Sequence, residues 1–221
     1  MGSAVGQVLP LAIGVLASPL PIIAVILILL TPKARANGLA FLVGWLAGLV
    51  LVGLIGVLVL DRTAVHDDDG SPIMQWVKAG VGVILVVMAV RKWMGRPKPG
   101  EQVTRPGWMS ALESVTALKS GTLGFTLAAI KPKNLLLTLA AAGVISDAGL
   151  ERGAELVVLA VFVVVASLGI LAPVFTYLAL GSRSAGILEA WSDWLARHSA
   201  VVVAVVLLVI GVVLIVLGLR G

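Results

Sequence analysis

The chain has 221 residues, 60% of them apolar and 12% charged, with 16 Lys+Arg against 11 Asp+Glu and no Cys. A soluble domain is about 25% charged; half that value, with a mean hydropathy of +1.13, excludes disordered, fibrous, nucleic-acid-binding and soluble-enzyme classes and predicts an all-α integral membrane protein. The absence of Cys removes disulfide frameworks, thiolate metal sites and thiol redox chemistry.

A helix needs about 20 mostly apolar residues to cross a bilayer. Six stretches qualify, at roughly 4–30, 38–60, 76–94, 121–146, 154–180 and 199–219. The first contains Pro19 and Pro21 well inside it. Proline removes a backbone donor and clashes with the preceding turn, so this span is predicted to break there. No basic side chain precedes Lys33, so the first span is expected to be retained rather than cleaved as a signal peptide. In the second span, Gly44, Gly48 and Gly56, with Gly53 close by, form a small-residue face suited to close helix contact. Internal packing is the preferred reading of that face and a homodimer seam the alternative.

The run His66-Asp67-Asp68-Asp69 falls in the next loop and reads as a solvated segment that enforces topology rather than a hard-cation site. Residues 105–119 carry Ser110 and Glu113 at capping-box spacing. Trp108, Leu112, Val115 and Leu118 follow at helical intervals, predicting an amphipathic surface helix. The fourth span is interrupted by Lys131-Pro132-Lys133-Asn134. Pro173 in the fifth span reads as a kink only. Residues 187–198, with Ile187, Leu188, Trp191, Trp194 and Leu195 on one face, predict a second interfacial helix ahead of the last span.

Lysine and arginine gather on alternate loops. Lys33, Arg35, Arg91, Lys92, Arg96, Lys98, Arg105, Lys119, Arg183 and Arg197 fall on one side; Arg62, Lys78, Arg152 and Arg220 fall on the other. The positive-inside rule places the 31–37, 91–120 and 182–198 segments in the cytoplasm and both termini outside. A shift of 113 residues lays Ser18-Pro19 over Lys131-Pro132, and a shift of 118 lays Gln75-Trp76-Val77 over Asp193-Trp194-Leu195. Three spans written twice must enter the membrane from opposite sides. The expected plan is therefore a single domain built as a 3+3 inverted repeat, with broken first and fourth helices. One half occupies about 1–95, a cytoplasmic linker about 96–120 and the second half about 121–221.

Lys131 and Lys133 are the most informative residues. A lysine at the bilayer centre costs about 2.5–3.5 kcal/mol on insertion scales, and all 11 acids fall in loops, surface helices or span ends. Either burial holds these lysines neutral, or they snorkel, or they face an aqueous cavity that receives an anion. A fourth alternative is that they lie nearer the surface than the span boundaries suggest. The anion reading also uses the half-helix N-termini at the breaks. Ser18, Thr126, Asn134 and Thr138 then complete a candidate substrate site with the two lysines, and Pro19, Pro21 and Pro132 are the helix-breaking residues. No nucleophile–His–acid set, phosphate-binding glycine loop, metal cluster or cofactor motif is present in the sequence, so no enzymatic activity, metal or cofactor is expected.

The elements Ser18-Pro19-Leu20-Pro21, Thr31-Pro32-Lys33-Ala34-Arg35, Gly38 and Gly44-Trp45 resemble those of the lysine-exporter superfamily. Ile130-Lys131-Pro132-Lys133-Asn134 resembles its Asn-Pro-Lys element, with Lys131 replacing Asn. The Lys-Pro-Lys-Asn form, the Trp191/Trp194 segment and the Val/Leu-rich last span more closely resemble the actinobacterial glycopeptidolipid- or sulfolipid-addressing proteins. The resemblance implies a plasma (inner) membrane protein that assists export of complex envelope glycolipids. The Lys131 departure suits an anionic head group better than an amino acid. With no ATP site, the chain is expected to act as a passive translocase, an exchanger or an accessory to envelope-lipid export machinery. The alternatives are a small-solute exporter for an amino acid or ion, and a non-transporting membrane scaffold.

Overall fold

The structure, a computed structural model, describes residues 1–63, 80, 83, 86–91, 93, 94 and 115–220. The described elements are all helical. They are α1 (Gly2–Leu16), α2 (Pro19–Leu29), α3 (Ala34–Thr63), α4 (Ala117–Ala129), α5 (Pro132–Asp147), α6 (Arg152–Leu180), a 3-10 turn (Gly181–Ser184) and α7 (Ala185–Arg220). The expected third span is described only at scattered positions. The acidic run 66–69 and residues 105–114 lie outside the described residues.

Among the described residues, two stretches are long and apolar enough to cross a membrane unaided, Ala34–Val59 and Arg152–His198. Two bent pairs pass the same test when each is counted as one span, α1 with α2 at 55° and α4 with α5 at 60°, making up to four. Further along, Ala200–Val209 is a shorter apolar helical stretch within α7. The exposed faces of the helices are themselves apolar, with Val43, Leu51, Ile55, Val164, Phe175 and Val209 all facing outward. A soluble monomer rarely exposes so much contiguous apolar surface, whereas lipid tails cover it at no cost. This is a membrane protein.

The tightest packing is between α3 and α4, and glycine makes it. A Cβ on Gly44 would strike the Gly121 carbonyl, and one on Gly124 would strike the Phe41 carbonyl. A Cβ on Gly48 would lie 2.8 Å from the Ala128 methyl, and one on Gly56 would lie 2.6 Å from the Ala142 methyl on α5. The glycine face of the second span is thus filled from within the chain. Beside it, Phe41, Trp45 and Leu49 point from one stripe of α3 into the core, and Phe162, Ala166, Ile170 and Val174 do so from α6.

These contacts also set direction. Going up α3 from Gly44 to Gly56, the partners advance from Gly121 to Ala142, so α3 runs parallel to α4 and α5. Along α6 the order reverses, because Gly53 meets Leu159 whereas Trp45 donates to Ser167. The start of α3, the start of α4 and the end of α6 therefore share one end of the bundle. Lys33, Arg35, Lys119 and Arg183 gather there, and Arg152 lies at the other. This is the segregation that the alternate loops predict.

Two sequence expectations need correction. Residues 187–198 do not form a separate surface helix, because α7 is continuous from Ala185 to Arg220. At about 1.5 Å per residue its 36 residues span roughly 54 Å, longer than the ~30 Å hydrocarbon layer. Its first turns have an apolar arc wide enough to face two ways: Leu188 and Ser192 are buried, while Trp191 and Trp194 are exposed. The fourth span also begins earlier than residue 121. Thr116 caps α4 by accepting from the Lys119 N–H at 3.4 Å, so residues 117–119 belong to α4 rather than to a surface helix.

Candidate functional site

Both breaks have the same local construction. In each, the residue before proline is non-helical, Ser18 at ψ 96° and Lys131 at ψ 119°, as proline demands of its predecessor. Pro19 and Pro132 then occupy the first helical turn, where the missing N–H costs nothing. Leu16 and Ala129, which end the first half-helices, stand 113 positions apart, and so do Pro19 and Pro132. At about 1.5 Å per residue the four half-helices run roughly 16–24 Å, so each break lies well away from both ends of its pair.

The two breaks touch. The Ser18 hydroxyl donates to Asn134 Oδ1 at 3.0 Å, and Asn134 Nδ2 donates to the Leu127 carbonyl at 2.9 Å. Asn134 is fully buried and so is Ser18. One amide therefore satisfies a carbonyl of the last turn of α4 and holds the cap residue of α2. Lys133 reaches the other way. Its ammonium donates to the Gly14 carbonyl at 2.6 Å and to the Ala17 carbonyl at 3.5 Å. These lie at the C-terminal end of α1, where the last carbonyls have no helical donor and the helix dipole is negative. The last turn of α1 contains no basic residue of its own.

The arrangement brings Ser18, Lys133 and Asn134 together, with Pro19 and Pro21 buried beside them. Lys131 stands at the N-cap position of α5 and carries a like charge near enough to act on Lys133. Thr126 contributes its backbone carbonyl, which accepts from the Ile130 and Lys131 N–H groups at 2.9 and 3.2 Å. Thr138 lies one turn beyond Asn134, is buried, and donates to the Asn134 carbonyl at 2.8 Å. Its hydroxyl serves its own helix. The half-helix N-termini are also less generous than expected. Pro19 and Pro21 remove two of the first N–H groups of α2, and Pro132 removes one from α5. Pro132 and Ile130 are exposed, so the α4–α5 break is open on one side while Ser18 is sealed.

A family model described as "Sap, sulfolipid-1-addressing protein" matches residues 8–220. The chain belongs to the Sap family. No curated protein and no solved structure gives a match.

Sequence reasoning missed several residues of this Sap-family chain. Gly14, Ala17 and Leu127 act through backbone carbonyls, which no side-chain pattern reveals. Trp45 Nε1 donates to Ser167 Oγ at 3.2 Å, and Asn37 Nδ2 donates to the Val115 carbonyl at 2.9 Å. Both are buried polar contacts in otherwise apolar helices, and isolated polar residues within spans were the available signal. Among the described residues, no group of His, Cys, Asp and Glu is placed to hold a metal ion.

Proposed function

We propose that this chain is a plasma-membrane translocase that assists export of an anionic or glycosylated envelope lipid, passing the head group through the junction of the two breaks near Lys131 and Lys133. The observation that carries this reading is the contact between the breaks. Interrupted helices whose ends meet inside a bundle are the usual setting of a transport site, and here two lysines stand at that meeting point. The Sap family's description names the addressing of a sulfolipid, which suits a site built around cations. The end of the bundle bearing Lys33, Arg35, Lys119 and Arg183 is the cytoplasmic one, with both termini outside. The two halves are an inverted repeat of lysine-exporter type, and the chain is not an enzyme.

A second reading, a small-solute exporter, is favoured by the closure of the junction. Ser18 and Asn134 are sealed, which leaves less room for a sugar head group than for an ion or amino acid.

Purified protein in liposomes separates these readings. The lipid reading expects protein-dependent transfer of a labelled anionic lipid between leaflets, with no flux of labelled lysine. Lysine flux alone supports the small-solute exporter. Neither activity, from folded protein, leaves the scaffold.

A further inference from the structure

We infer that Lys133 is a latch released by the head group: an anionic oxygen entering the junction takes the ammonium away from the Gly14 and Ala17 carbonyls and frees the end of α1 from α5. This rests on the reading that an anionic head group enters the junction.

Three observations lead to it. The Lys133 ammonium, 119 positions from Gly14 in the chain, is the cation held at the C-terminal end of α1. It ties the first bent pair to the second, since it reaches from the first turn of α5 to the last turn of α1. It is also within reach of a ligand, because Lys133 is not fully buried, Pro132 is exposed and Ile130 is 61% exposed.

Carbonyl oxygens hold an ammonium by charge and dipole. A phosphate or sulfate oxygen holds it by charge and charge, and a full opposite charge at the same distance attracts it more strongly than a carbonyl dipole does. Lys131 adds a second positive charge that repels Lys133 and attracts the same anion. An arriving head group therefore outcompetes Gly14 and Ala17 for the ammonium. The freed carbonyls leave the α1 end without its donor, while the Ser18–Asn134 bond keeps the two breaks in register. A ligand shifts such an equilibrium only by its differential affinity for the two states. Here that differential is one ammonium exchanged between two sets of acceptors.

The chain has no Cys, so spin labels can be placed at will. Ile13 on α1 and Leu136 on α5 are 47% and 65% exposed and accept labels as I13C and L136C. Reconstitution in phosphatidylcholine is expected to give one distance. Adding phosphatidylglycerol is expected to populate a second, longer one. K133M is expected to show the longer distance in both lipids. An unchanged distribution in the labelled Lys133 protein overturns the latch without recourse to K133M, and so does a K133M variant that still responds to phosphatidylglycerol. The same shift produced by inorganic phosphate in phosphatidylcholine vesicles overturns the lipid head group as the operator. Leaflet transfer measured on the same samples keeps the two claims apart. Transfer without a distance change sinks the latch alone, and a distance change without transfer sinks the transport reading alone.

Discussion

Ser18 and Asn134 are separated by 116 positions in the chain, yet the hydroxyl of one donates to the amide oxygen of the other at 3.0 Å in the buried interior. Each belongs to a helix break, so this bond stitches the two bent pairs together, beside the Lys133 contacts to Gly14 and Ala17. Removing one partner strands the other. An unsatisfied buried polar group costs about 1–3 kcal/mol.

Asn134→Ala is accordingly expected to destabilise more than Ser18→Ala, because it also abandons the Leu127 carbonyl. We expect losses of about 2 and about 1 kcal/mol. Interhelical bonds within membranes average about 0.6 kcal/mol in double-mutant cycles, so a coupling of at least that size is expected between the two sites. Unfolding in mixed micelles measures it, and strictly additive losses would argue that the bond contributes nothing.

The glycine seam gives a second expectation. Gly44→Ala drives a methyl into the Gly121 backbone, which has no side chain to move aside. Overpacking of this kind costs about 1–3 kcal/mol. Gly6→Ala, with open space around it, is the control and should be neutral to slightly stabilising. Thermal denaturation in detergent compares the two. If Gly44→Ala is neutral in stability but changes the oligomeric state, the stripe is a dimer seam after all.

Sidedness follows from helix direction. Single cysteines replacing Lys33 and Arg183 should behave alike toward an impermeant maleimide added to intact cells, and one replacing Gly149 should behave oppositely. The charge distribution adds the sign: labelling at 149 and protection at 33 and 183. Opposite labelling at 33 and 183 contradicts the packing itself, whereas uniform inversion contradicts only the orientation.

The two breaks were legible because proline marks them, but proline alone was not the signal. Pro10 lies within the continuous α1, and Pro173 lies within the continuous α6. Apolar neighbours flank both, Leu9 and Leu11 in one case and Ala172 and Val174 in the other. At Pro19 and Pro132 the neighbours include Ser18, Lys131, Lys133 and Asn134; Lys133 and Asn134 donate to opened backbone carbonyls, and Ser18 holds Asn134. A break inside a membrane persists where side chains satisfy it. The glycine face was legible for a similar reason, since small residues at helical spacing have one obvious use. What Lys133 does was not legible. Lysine beside a break suggests a waiting cation, and only coordinates show the ammonium already held by the carbonyls of a helix more than a hundred positions earlier. The continuity of α7 was hidden because the tryptophans at its start look interfacial whether or not the helix goes on.

The central claim is that an anionic head group meets Lys133 between the breaks. Solid-state NMR tests it through the dipolar coupling between 15N-labelled lysine ammonium groups and lipid phosphorus, in bilayers containing phosphatidylglycerol. A coupled ammonium signal is expected to persist when Lys131 and the surface lysines are replaced by arginine, and to vanish when K133R is added to that background. A signal that survives K133R, or a Lys133 ammonium with no coupling to phosphorus while lipid transfer proceeds, contradicts it.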